Sequence, residues 1–189
     1  MTLRNLIFPI TMFTAVIFAA CNTPTKSNNE INKIEIATGG CLRGCPVVGL
    51  IIDSTLNMHY YGGYKAKLKG YYYGKVTLAF WDTLNIKLKQ INFKKLDTSR
   101  ISWIDGENAE TIFYWGTKKR HVFKSIDGNT DAAATVFTWI INSYKRVELQ
   151  KLNNTVKFET TFQYMQPPTP RSPADQALFP PPKKSSKKQ

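Results

Sequence analysis

Apolar positions along the middle of this chain follow two rhythms, and the changes between them mark its elements. Over 32–38, Ile34 and Ile36 alternate with charged neighbours, a period of two that predicts a half-buried strand. Gly39-Gly40 ends it. Residues 47–53 form an unbroken apolar run bounded by turn residues, which predicts a buried strand. A turn at Asp53-Ser54-Thr55 leads to a strand over 58–61, and Gly62-Gly63 signals a tight hairpin. The return leg is predicted over 64–68, with Lys65, Lys67 and Lys69 on one face and Ala66 and Leu68 on the other.

Between 76 and 96 the period lengthens. Phe80, Leu84, Leu88 and Ile91 fall at helical spacing, with Trp81 beside them. Lys87, Lys89, Lys94 and Lys95 lie toward the carboxyl end, where a helix dipole favours cations. A helix is predicted here, with a strand over 76–81 as its competitor. Asp105-Gly106 marks a turn. Two β-rich runs, 111–115 and 121–126, flank 116–120 and predict a second hairpin, closed by Asp127-Gly128. Asp131 caps a helix predicted over 132–144, with Val136, Phe137, Ile140, Ile141 and Tyr144 as its apolar stripe. Residues 156–164 are open to one last strand. The predicted order is β-β-β-α-β-β-α. It implies an α+β domain, an antiparallel sheet of two hairpins plus an N-terminal strand, with two helices packed on one face.

Both ends break this pattern. After Arg4 an apolar stretch closes in Val16-Ile17-Phe18-Ala19-Ala20-Cys21. A basic start, an apolar segment and a small-residue cleavage site make a secretory signal peptide. Pro9 and the short length argue against a membrane span, which needs roughly 20 apolar residues. With cysteine directly after the small pair, the site resembles the lipobox of bacterial lipoproteins, although Phe18 stands where leucine is usual. The resemblance implies that 1–20 are removed and that Cys21 becomes the lipidated first residue, held on a membrane by its acyl chains. A plain cleaved signal and an uncleaved anchor are the rival readings.

Residues 21–31 are polar and aperiodic and read as a flexible tether. They carry no acidic run, which favours an outer membrane location facing the periplasm of a bacterial cell envelope. Residues 32–150 are enough for one hydrophobic core. The extension 151–189 ends in Pro167-Pro168-Thr169-Pro170, Pro180-Pro181-Pro182 and Lys183-Lys184-Ser185-Ser186-Lys187-Lys188. Proline at that density feeds neither helix nor sheet, so a disordered or polyproline-II tail with a basic end is expected.

The formal net charge is +13, which favours anionic partners. For an exported, lipid-anchored chain these are the membrane itself, an anionic envelope polymer or another envelope protein, and not nucleic acid. The plain alternative is that scattered lysines only solvate the surface.

Two cysteines remain for chemistry, in Cys41-Leu42-Arg43-Gly44-Cys45-Pro46. In an oxidising envelope they most simply form a disulfide. A redox-active pair and a metal-binding pair stay open. This loop, with Pro46-Val47, Tyr61-Gly62 and Gly70, resembles an uncharacterised bacterial family, a domain of unknown function common in envelope lipoproteins, over about 33–146. The chain departs from that pattern in the place of Gly44 and in having Val48 where tyrosine is usual. The resemblance implies export and an α+β fold, and no activity. The cysteine loop also resembles the copper-binding loop of copper chaperones for cytochrome oxidase, where two thiolates and a distant histidine hold copper. His121 would be that histidine. In those proteins the cysteines open a helix, whereas a strand is predicted here from 47. A thiol redox or copper-handling protein using Cys41 and Cys45 is therefore the alternative function.

No catalytic set assembles. His59 and His121 are the only histidines, and His59 sits in a tyrosine-rich strand. Asp105 and Glu107 flank a turn glycine. There is no Gly-x-Ser-x-Gly elbow, phosphate loop or nucleotide fingerprint. The expectation is a non-enzyme with no catalytic residue, cofactor or metal. The best binding candidates are tyrosines interleaved with lysines: Tyr61, Tyr64, Lys65, Lys67, Tyr71 and Tyr73. Tyrosine offers a rigid apolar body with a polar tip, and lysine adds long-range attraction. With Tyr71 and Tyr73 on the lysine face, the hairpin would bind a polysaccharide or an anionic partner protein. Ordinary cross-strand aromatic packing is the competing account. The function expected is a non-catalytic binding or structural module of the envelope.

Overall fold

The computed structural model describes residues 31–41, 44–98, 106–129 and 131–165. The expected signal peptide (1–20), Cys21, nearly all of the expected tether, Asp105 and the Pro-rich tail lie outside the described residues. The fold is α+β: one antiparallel sheet of seven strands with two helices. The strands are β1 (Lys33–Thr38), β2 (Val48–Asp53), β3 (Asn57–Gly62), β4 (Gly70–Lys75), β5 (Asn108–Trp115), β6 (Lys118–Ser125) and β7 (Leu149–Leu152). The helices are α1 (Leu78–Gln90) and α2 (Ala132–Ile141). Across the sheet the strands run β6-β5-β1-β2-β3-β4-β7. Thus α1 carries the chain from β4 back to β5, and α2 carries it from one edge strand, β6, to the other, β7.

The order therefore exceeds the expected β-β-β-α-β-β-α by two strands, β4 and β7. The return leg expected over 64–68 is a loop. Lys65 has φ 53, in the left-handed region, which breaks an extended strand. The pairing strand begins at Gly70 instead, in register Tyr60↔Tyr72 and Gly62↔Gly70. The helix expected over 76–96 stops at Gln90, because Asn92 is left-handed, and a short 3₁₀ turn follows at Phe93–Lys95. The helix expected over 132–144 ends at Ile141 and tightens into a 3₁₀ turn, Asn142–Arg146. Residues 156–164 form no strand, as described below.

Alternation along the strands gives the sheet two faces. The face toward the helices carries Ile34, Ile36, Leu50, Ile52, Met58, Tyr60 and Phe113, all nearly or fully buried. Leu84 and Leu88 from α1 and Phe137 and Ile140 from α2 close this core. Tyr60 is wholly buried, and its hydroxyl donates to the Leu68 carbonyl at 3.1 Å. Burial pushes that phenol well above its ordinary pKa, and Tyr144 and Tyr72 add to the shift.

One charged residue on the helix face needs its own partner. Lys124 of β6 is buried, and its Nζ lies 2.5 Å from Oδ2 of Asp131. The other Asp131 oxygen accepts from the Ala134 amide at 2.8 Å, so one carboxylate caps α2 and neutralises a buried cation. Partial burial pulls the Asp131 pKa up, but the bonds from Lys124 and Ala134 outweigh it and hold it below the ordinary value. A lowered carboxylate pKa gives stability that is present above the unfolded value and lost as pH falls through the folded one. Asp131→Ala should cost about 1–2 kcal/mol. It should also flatten the acid limb of stability against pH below the ordinary aspartate value of 3.8. Urea unfolding at a series of pH values measures both effects.

The second face is half covered. After β7 the chain runs without regular structure to a 3₁₀ turn at Phe162–Tyr164, and this segment crosses the face of β1, β2, β5 and β6. It docks on two buried carboxylates. Oε1 of Glu35 accepts from the amide (2.6 Å) and hydroxyl (2.9 Å) of Thr160. Oε2 of Glu110 accepts from the Thr161 amide (2.6 Å) and hydroxyl (3.1 Å) and from the Phe162 amide (2.8 Å). Phe162 packs against Phe123, ring centroids 5.4 Å apart and tilted, and Phe158 lies over Gly49. β1 was expected to be half-buried, yet Glu35 is 1% exposed. Its charged side chain faces the crossing segment and not water.

Candidate functional site

Among the described residues the crossing segment reaches β3 and β4 only through Tyr164, so the described chain leaves most of the β3–β4–β7 half of the second face uncovered. Register puts His59 and Tyr61 of β3 opposite Tyr73 and Tyr71 of β4, and Gln150 and Leu152 of β7 opposite Tyr73 and Tyr71 in turn. The result is a surface of partly exposed tyrosines whose rings tilt against one another. Tyr61 and Tyr71 have ring centroids 4.8 Å apart, and Tyr164, at the end of the crossing segment, flanks Tyr61 at 6.4 Å. His59 tilts against Tyr73 at 5.4 Å. The Tyr73 hydroxyl donates to Asn57 Oδ1 at 2.7 Å, which fixes that ring. Burial raises the Tyr71 pKa, as do Tyr164 and Tyr61, so the phenol stays neutral across the physiological range. Such a surface offers apolar ring faces with neutral hydroxyls at their edges, that of Tyr73 committed to Asn57 and that of Tyr71 bonded to Tyr164.

The sequence-derived residues divide into two groups. Tyr61, Tyr71 and Tyr73 share the open face. Tyr64, Lys65 and Lys67 lie in the 63–69 loop at the end of the β3–β4 hairpin, all exposed. The lysine on the same strand face as Tyr71 and Tyr73 is therefore Lys75, by alternation along β4. Lys75, Tyr73, Gly74, Glu148 and Gln150 line a shallow groove of about 340 Å³ at the edge of this face. Sequence reasoning missed Tyr164 and Gln150. Tyr164 comes from a distant segment, and β7 pairs with β4 only in the folded chain.

Backbone geometry holds the loop in place. A Cβ at Gly62 would stand 1.7 Å from the Leu68 carbonyl oxygen, so the loop folds back over a residue that only glycine allows. On its other side the loop rests on the cysteine turn. Val47 N donates to Tyr64 O and Gly63 N to Val47 O, both at 2.9 Å. The Lys65 stem crosses Gly44, within 3.0 Å of where a Cβ would be. Cys41 and Cys45 form a disulfide. Closing so short a loop stabilises the fold by about 2 kcal/mol on chain-entropy reasoning. Its more specific effect here is to fix the platform under Tyr64 and Lys65. Cys41 is 2% exposed.

His121, the histidine considered for a third copper ligand, faces Glu110 at 2.8 Å and packs on Phe123 at 4.5 Å. Among the described residues no group of three or more His, Cys, Asp or Glu side chains is placed to hold a metal ion. Glu107 is half-buried. Burial and the neighbouring Asp127 raise its pKa, against a smaller pull from Lys145.

These features define a class: a disulfide-pinned α+β domain whose antiparallel sheet carries helices on one face and an open tyrosine surface on the other. A family model spans residues 32–148, and the chain belongs to that family, the domain of unknown function DUF6438. No curated protein matches the chain. The crossing segment that seals half of the second face lies beyond the matched residues.

Proposed function

We propose that this chain is a lipid-anchored protein of the bacterial cell envelope, held through Cys21, whose domain binds an envelope polysaccharide through the open tyrosine face. The observation that carries the reading is the juxtaposition of Tyr61, Tyr71 and Tyr73 on the uncovered half of the sheet. Tyrosine rings present large rigid apolar area with hydroxyls at the rim, which suits a flat, hydroxyl-rich ring. The exposed loop cations Lys65 and Lys67 at one end and Lys75 at the other add attraction to an anionic polymer. The disulfide acts as a structural staple in this account. An outer membrane location facing the periplasm is consistent with the signal and tether.

Co-sedimentation of the purified full chain with isolated sacculi and with lipopolysaccharide vesicles tests this. Tyr71→Ala with Tyr73→Ala should lower the retained fraction five- to tenfold while the fold is kept. Unchanged retention would remove the tyrosine face from the account. Retention only by envelopes that protease treatment abolishes would point to a protein partner instead.

A further inference from the structure

A second groove, of about 370 Å³, lies in the helix layer and is lined by residues from the start of α1, the end of α2 and the turn after it. Phe80 of α1 and Trp139 of α2 form its aromatic wall, stacked with centroids 4.9 Å apart and planes 10° apart. The Arg146 guanidinium lies 4.9 Å from the Trp139 centroid and 5.9 Å from that of Phe80. Lys87 sits 5.3 Å from the Trp139 ring. The rings hold these cations in place without neutralising them.

Among the described residues these cations lack acidic partners. Arg146 makes one hydrogen bond, a long one of 3.5 Å from Nη2 to the Trp139 carbonyl. Lys75, on the groove's rim, and Lys87 form no ion pair among the described residues. A guanidinium with unused donors beside an apolar wall is a receptor for a carboxylate or phosphate attached to a ring. Two hydroxyls narrow the choice. Thr77 Oγ1 accepts from the Phe80 amide, which leaves its own proton free to donate. Thr83 Oγ1 donates to the Ala79 carbonyl, which leaves its lone pairs free to accept. One spare donor and one spare acceptor match a ring that carries hydroxyl groups, and a hydrocarbon acid would leave both unused. The volume lies at the lower end of ligand sites, the size for one ring and its charged substituent.

We infer that this groove is a second binding site, specific for an anionic saccharide unit, with the charged substituent on Arg146 and the ring against Phe80 and Trp139. The two grooves share Lys75, at the end of β4; their other lining residues differ, and the aromatic wall of this one lies on the helix side of the sheet, away from Tyr71 and Tyr73. Sugar carboxylates and sugar phosphates share the required chemistry, and the test separates them.

Titration calorimetry on the purified full chain would use trigalacturonic acid, glucose 1-phosphate and neutral maltotriose as probes. At least one anionic probe should bind ten or more times tighter than maltotriose, and the tighter of the two identifies the substituent. Arg146→Met, which keeps the apolar stem, should weaken that probe at least tenfold, and Arg146→Lys should weaken it less. Tyr71→Ala with Tyr73→Ala should leave the affinity unchanged. The site is overturned if neither anion binds, if maltotriose binds equally well, or if Arg146→Met has no effect. It is also overturned if the tyrosine variant loses the affinity, since binding would then belong to the other face.

Discussion

Replacing Glu110 with alanine is expected to destabilise the domain by roughly 3–5 kcal/mol, the cost of losing at least two hydrogen bonds to a buried carboxylate. Glu110 is 0% exposed, on the middle of β5, and its two oxygens face different ways. Oε1 meets His121 at 2.8 Å. Oε2 gathers three donors from residues 161 and 162. Alanine would remove the acceptor that the Thr161 and Phe162 amides share and release the crossing segment from β5. Hydrogen bonds to a charged acceptor are worth about 1.5–3 kcal/mol each, so losing even two of them reaches the expected range. Glu110→Gln is a sharper companion. Its carbonyl oxygen can still receive the three donors, while its amide nitrogen turns to a His121 ring nitrogen. The loss should then fall to about 1 kcal/mol. Urea unfolding of the full chain measures both, as a shift of midpoint at constant slope. A cost below about 1 kcal/mol for the alanine variant would mean that the segment does not depend on this carboxylate.

Phe137→Ala is expected to have a similarly large effect on the opposite face, about 3–5 kcal/mol, through cavity formation. Phe137 is fully buried at the centre of α2, with its ring 6.0 Å from that of Phe113 on β5. It therefore joins the helix layer to the sheet at mid-span, where little can collapse to fill the space. Phe137→Leu should cost far less, because most of the volume is kept. Equal costs for the two variants would show that the ring is not packed as described.

These two residues show what the sequence reveals and what it hides. Phe137 was legible. It belongs to an apolar stripe at helical spacing that begins after a capping aspartate, and both signals are local. The β5–β6 hairpin and the buried strand β2 were legible for the same reason. Glu110 and Glu35 were not. On amphipathic strands a glutamate reads as the watered face, and only a segment 51 or 125 residues away reverses that reading. β4 was hidden because Tyr71-Tyr72-Tyr73 presents no alternation, although Tyr72 faces the core side and its neighbours do not. β7 is a four-residue edge strand, Leu149–Leu152, with two polar members, too short for a periodic signal.

The candidate site was legible in part. Tyr61, Tyr71 and Tyr73 stood out by residue type, and they do share a face. The lysines singled out with them lie in the loop, because the return strand begins at Gly70 and not at 64 as expected. The helix-side groove left no local trace. Phe80, Trp139 and Arg146 come from three separate stretches, and only the packing of α1 on α2 brings them together.

Hydroxyl-radical footprinting of tyrosines would test the central claim most directly, comparing the protein in its native envelope with the purified full chain. The account predicts that Tyr61, Tyr71 and Tyr73 are protected severalfold in the envelope, while Tyr144, on the helix side, labels equally in both. Equal labelling of the three open-face tyrosines in the two samples would contradict it.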